Sequence, residues 1–349
     1  MGVAVARRER LLRLLHRDGH VDAEQAAVTL GVASVTIRRD LRLLADQGLV
    51  TRVHGGAVTL DDGPADRRTL ALRIGMLTPN SNYYYNEVLA GAEAAAARAG
   101  CRLVYATHGD FAVREGERLR RLLELDLDAV IMTTGYEQED LAETMARVDG
   151  CEIPVVLCER WWEPPHLRQP RDRIGSDHRT GAVLGMQHLY GLGHRRVLLT
   201  SPPTATSPMV RSGALLATEH QPGASLVDDG DRLGYASDNS PIHAEILERI
   251  RSDRVTAVLV HADKHAAQFA RYAVAHGVRV PEDVSILSYD DVTAATEPIP
   301  LTAVAPQKRL IGSRAVELAI ERVRDPLAPY QAVSLVPSVV VRASTGPPP

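Results

Sequence analysis

Along the first sixty residues the apolar positions recur at helical spacing and then switch to alternation. From Ala6 to Asp18, Leu11, Leu12, Leu14 and Leu15 fall at helical spacing among arginines and Gly19 closes the segment, which predicts a first helix. A short extended His20-Val21-Asp22 leads into AEQAAVTLG, a second helix that Gly31 ends, and Ser34 is placed to N-cap a third. In that third helix Ile37, Leu41 and Leu44 stand at i, i+4 and i+7. They define the buried stripe, so Val35, Arg39 and Arg42 point away from it, with Thr36 and Arg38 flanking them. The run LVTRVHGGAVTL then alternates as two strands with Gly55-Gly56 as the positive-φ turn. Helix, helix, tight turn, helix and hairpin make a winged helix-turn-helix, and its arginine-bearing face has the width of a B-DNA major groove.

Residues 58–72, VTLDDGPADRRTLAL, lose all periodicity and carry Gly63 and Pro64, as a linker does. From Arg73 onward short apolar runs (RIGMLTP, CRLVYAT, DAVIMTT, IPVVLCE, RRVLLTS, AVLVHAD, VSILSYDD) alternate with helical patterns. Repeated strand–helix units of this kind predict parallel sheets covered on both faces, with ligands bound at the carboxyl ends of the strands. The residues at those ends are Asn82 to Tyr85, Thr133 to Tyr136, Glu159 to Trp162, Ser201 to Arg211, Asp263, and Asp290 with Asp291. The expected class is α/β, with a DNA-binding module over 1–57, a linker over 58–72 and a ligand-binding domain over 73–345.

Composition narrows the function. Of 349 residues, 45% are apolar and 24% charged, which excludes a disordered tail protein, and no apolar run approaches the roughly 18 residues of a membrane span. The first residues carry charges inside their apolar stretch and no cleavage site, so the expected location is the cytoplasm. Cys101, Cys151 and Cys158 are odd in number and lack CxxC spacing, against both a disulfide framework and a zinc knuckle. Net charge is −4, yet residues 1–60 hold nine arginines against six acids, +3, leaving −7 for the remainder. A small basic module joined to a larger acidic domain fits nucleic-acid binding. The bases are arginines; the chain has only two lysines, Lys264 and Lys308. An arginine fork pairs with guanine O6 and N7 for about 1–3 kcal/mol of discrimination, and a serine at a helix N-terminus suits a phosphate. HADKH (261–265) sets two histidines around Asp263 without a third ligand, and no phosphate loop, dinucleotide fingerprint or nucleophile elbow occurs in context. Neither a metal nor a cofactor is expected, and an enzyme is the weakest reading. A transport binding protein would suit the large domain alone, but not the DNA-reading module.

The run from Arg7 to Ala57 closely resembles the DeoR-type winged helix-turn-helix, on TIRRDL (Thr36 to Leu41), the spacing to Gly48 and RVHGGA (Arg52 to Ala57). That resemblance implies that Ser34, Thr36, Arg38, Arg39 and Arg42 face DNA, while Arg52 and His54 on the wing approach the backbone or minor groove. Residues 73–345 resemble the effector-binding half of LacI-family regulators, itself similar to periplasmic sugar-binding proteins. The match rests on SNYYYNEVLAGAEAAAARAG, DAVIMTT, IPVVLCER, GSDHRTGAVLGMQHLYGLGHRRV, VRSGALLA, RVPEDVSILSYDD, PLTAVAPQ and VVVRAST. It implies a two-lobed periplasmic-binding-protein-like fold with parallel sheets. Tyr84 and Tyr85 would stack on the ligand, Asp177 and Asp263 would accept hydroxyl or amine hydrogens, and Arg211 would make a two-pronged bond. Plainer roles stand beside these: tyrosines that plug the core, and Asp177 or Asp290 capping a helix. The chain departs from the family pattern at Glu159, His178 and Ala262, so effector identity does not transfer beyond sugar, nucleoside or polyol. The LacI headpiece and hinge helix are replaced by the DeoR-type module. Double-stranded operator DNA would then be read through a homodimer of effector domains, and the implied activity is an effector-controlled transcriptional regulator, expected to be a repressor.

Overall fold

In the computed structural model of the protein, residues 7–8, 10–12, 14–15, 20–46, 50–53, 55–58, 71–81, 83–109, 112–135, 146–160, 169–231, 233 and 240–349 are described. The chain forms two compact units, Met1–Ile174 with Arg309–Ala332, and Gly175–Lys308 with Val333–Pro349, so it passes from one to the other three times.

The first unit begins with a helix, α1, seen at residues 7–8, 10–12 and 14–15. There follow β1 (His20–Asp22), α2 (Ala23–Leu30), α3 (Ser34–Asp46), β2 (Thr51–Val53) and β3 (Gly56–Val58). Leu11, Leu15, Ala26, Ile37, Leu41, Leu44, Val50 and Ala57 close one apolar core, which is the stripe the helical spacing anticipates. The wing has three strands in the order β1-β3-β2, all antiparallel. Two local expectations shift by one residue. The carbonyl of Ala33 takes the first amides of α3, from Thr36 at 2.9 Å and Ile37 at 3.3 Å, so Ser34 is the first helical residue and not its cap. Only Gly55 adopts positive φ, at 75°, while Gly56 lies inside β3. Gly56 is needed for another reason: β1 approaches so closely that a Cβ there would sit 1.7 Å from the carbonyl oxygen of Val21. Val58, expected as the first linker residue, pairs with His20 and Thr51 and belongs to the wing. The rest of the expected linker up to residue 70 lies outside the described residues.

The chain continues through β4 (Arg73–Thr78), α4 (Tyr84–Arg98), β5 (Arg102–Thr107), α5 (Ala112–Leu123), β6 (Ala129–Met132), α6 (146–149), β7 (Val155–Cys158) and β8 (Arg173–Ser176). Then come α7 (His178–Gly191), β9 (Arg196–Thr200), α8 (Ser207–Glu219), β10 (Ser225–Asp228), α9 (Ser240–Ser252), β11 (Ala257–Val260), α10 (Asp263–Ala275), β12 (Ser285–Tyr289) and β13 (Thr302–Ala305). It closes with α11 (Lys308–Arg324), β14 (Ala332–Leu335) and β15 (Ser338–Val340). Two six-stranded sheets result, ordered β14-β8-β7-β6-β4-β5 and β10-β9-β11-β12-β13-β15. The β4–β8 pairings are parallel, as are those from β10 to β13, and β15 runs antiparallel on β13.

These strands read as unbroken apolar runs because both sheet faces are covered. In the second unit Leu198, Val258 and Ile286 enter one core while Val197, Leu199, Ala257 and Leu287 enter the other. A buried fork ties α11 to the first sheet: Arg322 donates from Nε to Asp172 Oδ2 at 2.7 Å and from Nη2 to Oδ1 at 3.1 Å. Among the described residues no helix is long and apolar enough to cross a membrane.

Candidate functional site

Two kinds of surface carry the chemistry. The first is the exposed side of α3. Asp22 caps α2, its Oδ1 accepting from the amides of Glu24 at 2.8 Å and Gln25 at 3.0 Å, and Gly31 ends that helix in the left-handed region. With Ile37, Leu41 and Leu44 buried beneath, Val35 is 72% exposed, Arg38, Arg39 and Arg42 are exposed, and Ser34 and Thr36 are half-buried. Arg38 Nη2 reaches Glu24 Oε1 on α2 at 3.3 Å. Arg39 and Arg42 have no ion pair among the described residues. Asp40, inside the same TIRRDL run, points the other way. It is 3% exposed and pairs with Arg7, with Arg8 at 4.0 Å, which ties α3 to α1. Sequence reading passed over Asp40, although its place three residues after Ile37 on the apolar side was the signal. Arg52 lies in β2 opposite Ala57, and His54 is outside the described residues.

The second kind of surface is the carboxyl end of each large sheet, at the point where strand order reverses. In the first unit that point is β4, flanked by β5 and β6. Tyr84, the first residue of α4, is half-buried and donates its hydroxyl to Glu159 Oε1 at 2.6 Å. Tyr85 is 6% exposed, edge-on to Tyr84 with centroids 5.4 Å apart and with Arg160 5.9 Å from its ring. The plainer expectation, a tyrosine that plugs the structure, describes Tyr85. At the end of β6, Thr133 and Thr134 are buried, and the Thr133 carbonyl accepts from His108 Nε2 at 3.0 Å. Asn82, Tyr136, Trp161 and Trp162 are outside the described residues.

In the second unit the reversal is at β9, between β10 and β11. Arg211 on α8 makes the two-pronged bond expected of it, but to protein. Its Nε donates to Asp228 Oδ2 at 2.7 Å and its Nη2 to Asp231 Oδ1 at 2.6 Å, where Ser201 Oγ also donates at 2.7 Å. Burial pushes the Asp231 carboxyl up, but bonds from Arg211 and Ser201 outweigh it and hold it below the ordinary value; Asp231 in turn raises Arg211. Asp228 and Asp231 were missed in the sequence, where VDDGD follows an apolar run as strand-end residues do. Asp177 is the N-cap of α7, its Oδ1 accepting from the Thr180 amide at 2.9 Å and its Oδ2 from the Thr180 hydroxyl at 2.6 Å.

Asp263 corrects the expectation of a ligand acceptor. It is fully buried; Oδ1 accepts from Ser288 Oγ, and Oδ2 from the amides of Val292 at 2.5 Å and Thr293 at 2.9 Å. A carboxylate this saturated holds the loop after β12. His261, just past β11, is buried against the Tyr289 ring with centroids 5.3 Å apart, and burial pushes it down to about 3. His178 is buried too, and the Tyr289 hydroxyl donates to its carbonyl at 3.1 Å. Asp291 is paired with Arg342 at 2.7 Å. Among the described residues no group of three or more histidine, cysteine or acidic side chains could hold a metal.

Residues 7–62 match the family model of the DeoR-like helix-turn-helix domain, and residues 186–345 that of the periplasmic binding protein-like domain. The chain joins a DeoR-like helix-turn-helix domain to a periplasmic binding protein-like domain. This regulator is 27% identical over 279 residues to the HTH-type transcriptional repressor PurR of Vibrio atlanticus, 78% of this chain and 80% of that one. It is 26% identical over 331 residues to the ribose operon repressor of Escherichia coli, 92% and 98% of the two chains. The lac repressor dimer bound to operator and the anti-inducer ONPF shares the fold, with TM-score 0.67 at 20% identity over 80% of this chain and 96% of that one. The regulator's relatives are transcriptional repressors, not enzymes.

Proposed function

We propose that the regulator is a homodimeric transcriptional repressor acting in the cytoplasm. Residues 1–58 read double-stranded operator DNA, residues 59–72 join, and residues 73–345 bind a small effector of the sugar, nucleoside or polyol class. The observation that carries the DNA reading is the outer side of α3, where three arginines and a bare valine stand above the buried Ile37, Leu41 and Leu44. Arg39 and Arg42 read base edges, Val35 meets a thymine methyl, and Ser34 and Thr36 lie against phosphates at the helix N-terminus. Arg38 joins them once it lets go of Glu24. Arg52 and His54 carry the wing to the backbone or minor groove.

In the first unit Tyr84, and in the second unit Asp177 and Arg211, are the residues each unit offers to a small ligand. Tyr85 and Asp263 hold the surfaces on which they stand. The effector acts by binding one of two conformations better, so a differential affinity of about 1–3 kcal/mol changes operator occupancy. In the dimer the spacing of two α3 helices must match half-sites about one helical turn, or a multiple, apart.

The test is fluorescence anisotropy of the purified full-length protein on fragments of its own upstream region and on random duplex, with and without free sugars, nucleosides and polyols. A preferred fragment whose binding responds to one compound is expected. Equal affinity for every duplex, with and without every compound, refutes the reading.

A further inference from the structure

Resting on the effector-controlled reading, we infer that the effector is uncharged: Asp228 and Asp231 bracket Arg211 so that a free sugar, polyol or nucleoside is accepted and its phosphorylated counterpart is refused. An anion would be captured by the two parallel N–H groups of a guanidinium fork. Both prongs of Arg211 are already on carboxylates, at 2.7 Å and 2.6 Å, and the trio carries a net negative charge. Among the described residues, three other cations near the strand ends of this unit already hold partners, Arg249 on Asp229 at 2.6 Å, Arg342 on Asp291 at 2.7 Å and Lys308 on the carbonyl of Asp290, while Lys264 on α10 is exposed. His261 supplies no charge either, since burial keeps its imidazole neutral.

What remains suits hydroxyl groups. Among the described residues Arg211 donates through Nε and Nη2, leaving Nη1 for an acceptor, the carboxylates keep lone pairs, and at the end of β9 the fully buried Thr200 hydroxyl has no hydrogen-bond partner. A ligand hydroxyl can accept from the first and donate to the second. A phosphate can do only the former, and it meets two fixed negative charges.

Inorganic phosphate is a probe that does not require the effector to be known. In full-length wild-type protein, phosphate at matched ionic strength is expected to give no saturable rise in melting temperature. The D228N/D231N variant, with Arg211 released, is expected to gain one, and adding R211A is expected to remove it. Asp228→Asn alone serves if the double variant does not fold. Saturable phosphate binding by the wild type overturns the inference, as does a folded Asn variant that gains none. Calorimetry with matched pairs (ribose and ribose 5-phosphate, glucose and glucose 6-phosphate, adenosine and its monophosphate) extends the test. For any pair that binds, the phosphorylated member is expected to be at least about 100-fold weaker, and a phosphate that binds as tightly as its neutral partner overturns the inference. Neither experiment involves DNA, so failure here leaves operator binding, which tests the regulator reading, to succeed or fail by itself.

Discussion

Arg38 and Arg39 are neighbours on α3 but begin from different states. Arg38 rests on Glu24 at 3.3 Å in an open setting, a pair worth about 0–1 kcal/mol that DNA must break. Arg39 is exposed and gives up no partner among the described residues. Arg39→Ala is therefore expected to cost about 1–3 kcal/mol of discrimination between operator and scrambled duplex. Binding to the scrambled duplex itself should change far less. Anisotropy titrations on the two duplexes decide it, and equal losses would remove Arg39 from base reading. Glu24→Gln should strengthen DNA binding by releasing Arg38, with the melting temperature unmoved; weakened binding would show that Glu24 orients Arg38 usefully. Asp40 is the contrasting case, because its carboxylate is enclosed with Arg7. Asp40→Ala is expected to lower the stability of the helix-turn-helix by about 1–3 kcal/mol, read by urea unfolding, through an unpaired group.

At the scale of elements, the two glycines of the wing look alike in the sequence and serve different needs. Gly55 supplies a positive φ, whereas Gly56 makes room for β1. Gly56→Ala is expected to push β1 off β3 and abolish operator binding, while effector-dependent thermal shifts persist; undiminished operator binding would mean the wing tolerates the Cβ. The strands and helices of the wing, and the unbroken apolar runs of the two sheets, were legible because their periodicity is local. The pairing of β1 was not, since three residues carry no period. Nor was the place of α11 in the first unit, which rests on Arg322 meeting Asp172 from 150 positions away. Asp172→Ala strands a buried guanidinium and should cost about 3–5 kcal/mol in denaturant unfolding.

For the whole molecule, the sequence marked the strand ends and the polar residues that stand there, but not the partners those residues already hold. Arg211 needed Asp228 and Asp231, and Asp263 needed Ser288, contacts made only once parallel strands set distant turns side by side. The same folding distributes proton-linked stability unevenly. In the second unit burial lowers His261 to about 3 and His265 to about 4, from an ordinary 6.5. Between about pH 6.5 and 4 the unfolded chain binds protons there that the folded unit does not. Stability therefore falls with acid by up to roughly 1.4 kcal/mol per pH unit for each proton. In the first unit burial raises Glu93 on α4 to about 7 from 4.5, so there the folded state holds the extra proton. That contribution is complete below about pH 4.5 and disappears as pH rises through 7, the opposite sign. Both tryptophans, Trp161 and Trp162, belong to the chain segment of the first unit, so their fluorescence follows that unit while circular dichroism follows both. Urea titrations from pH 7 to 5 should show the circular-dichroism midpoint falling more than the fluorescence midpoint. Glu93→Gln should abolish the difference in slope that Glu93 contributes, and His261→Gln should flatten the dichroism profile. Midpoints that stay together across this range, in all three proteins, would mean that neither burial is linked to folding as the structure implies.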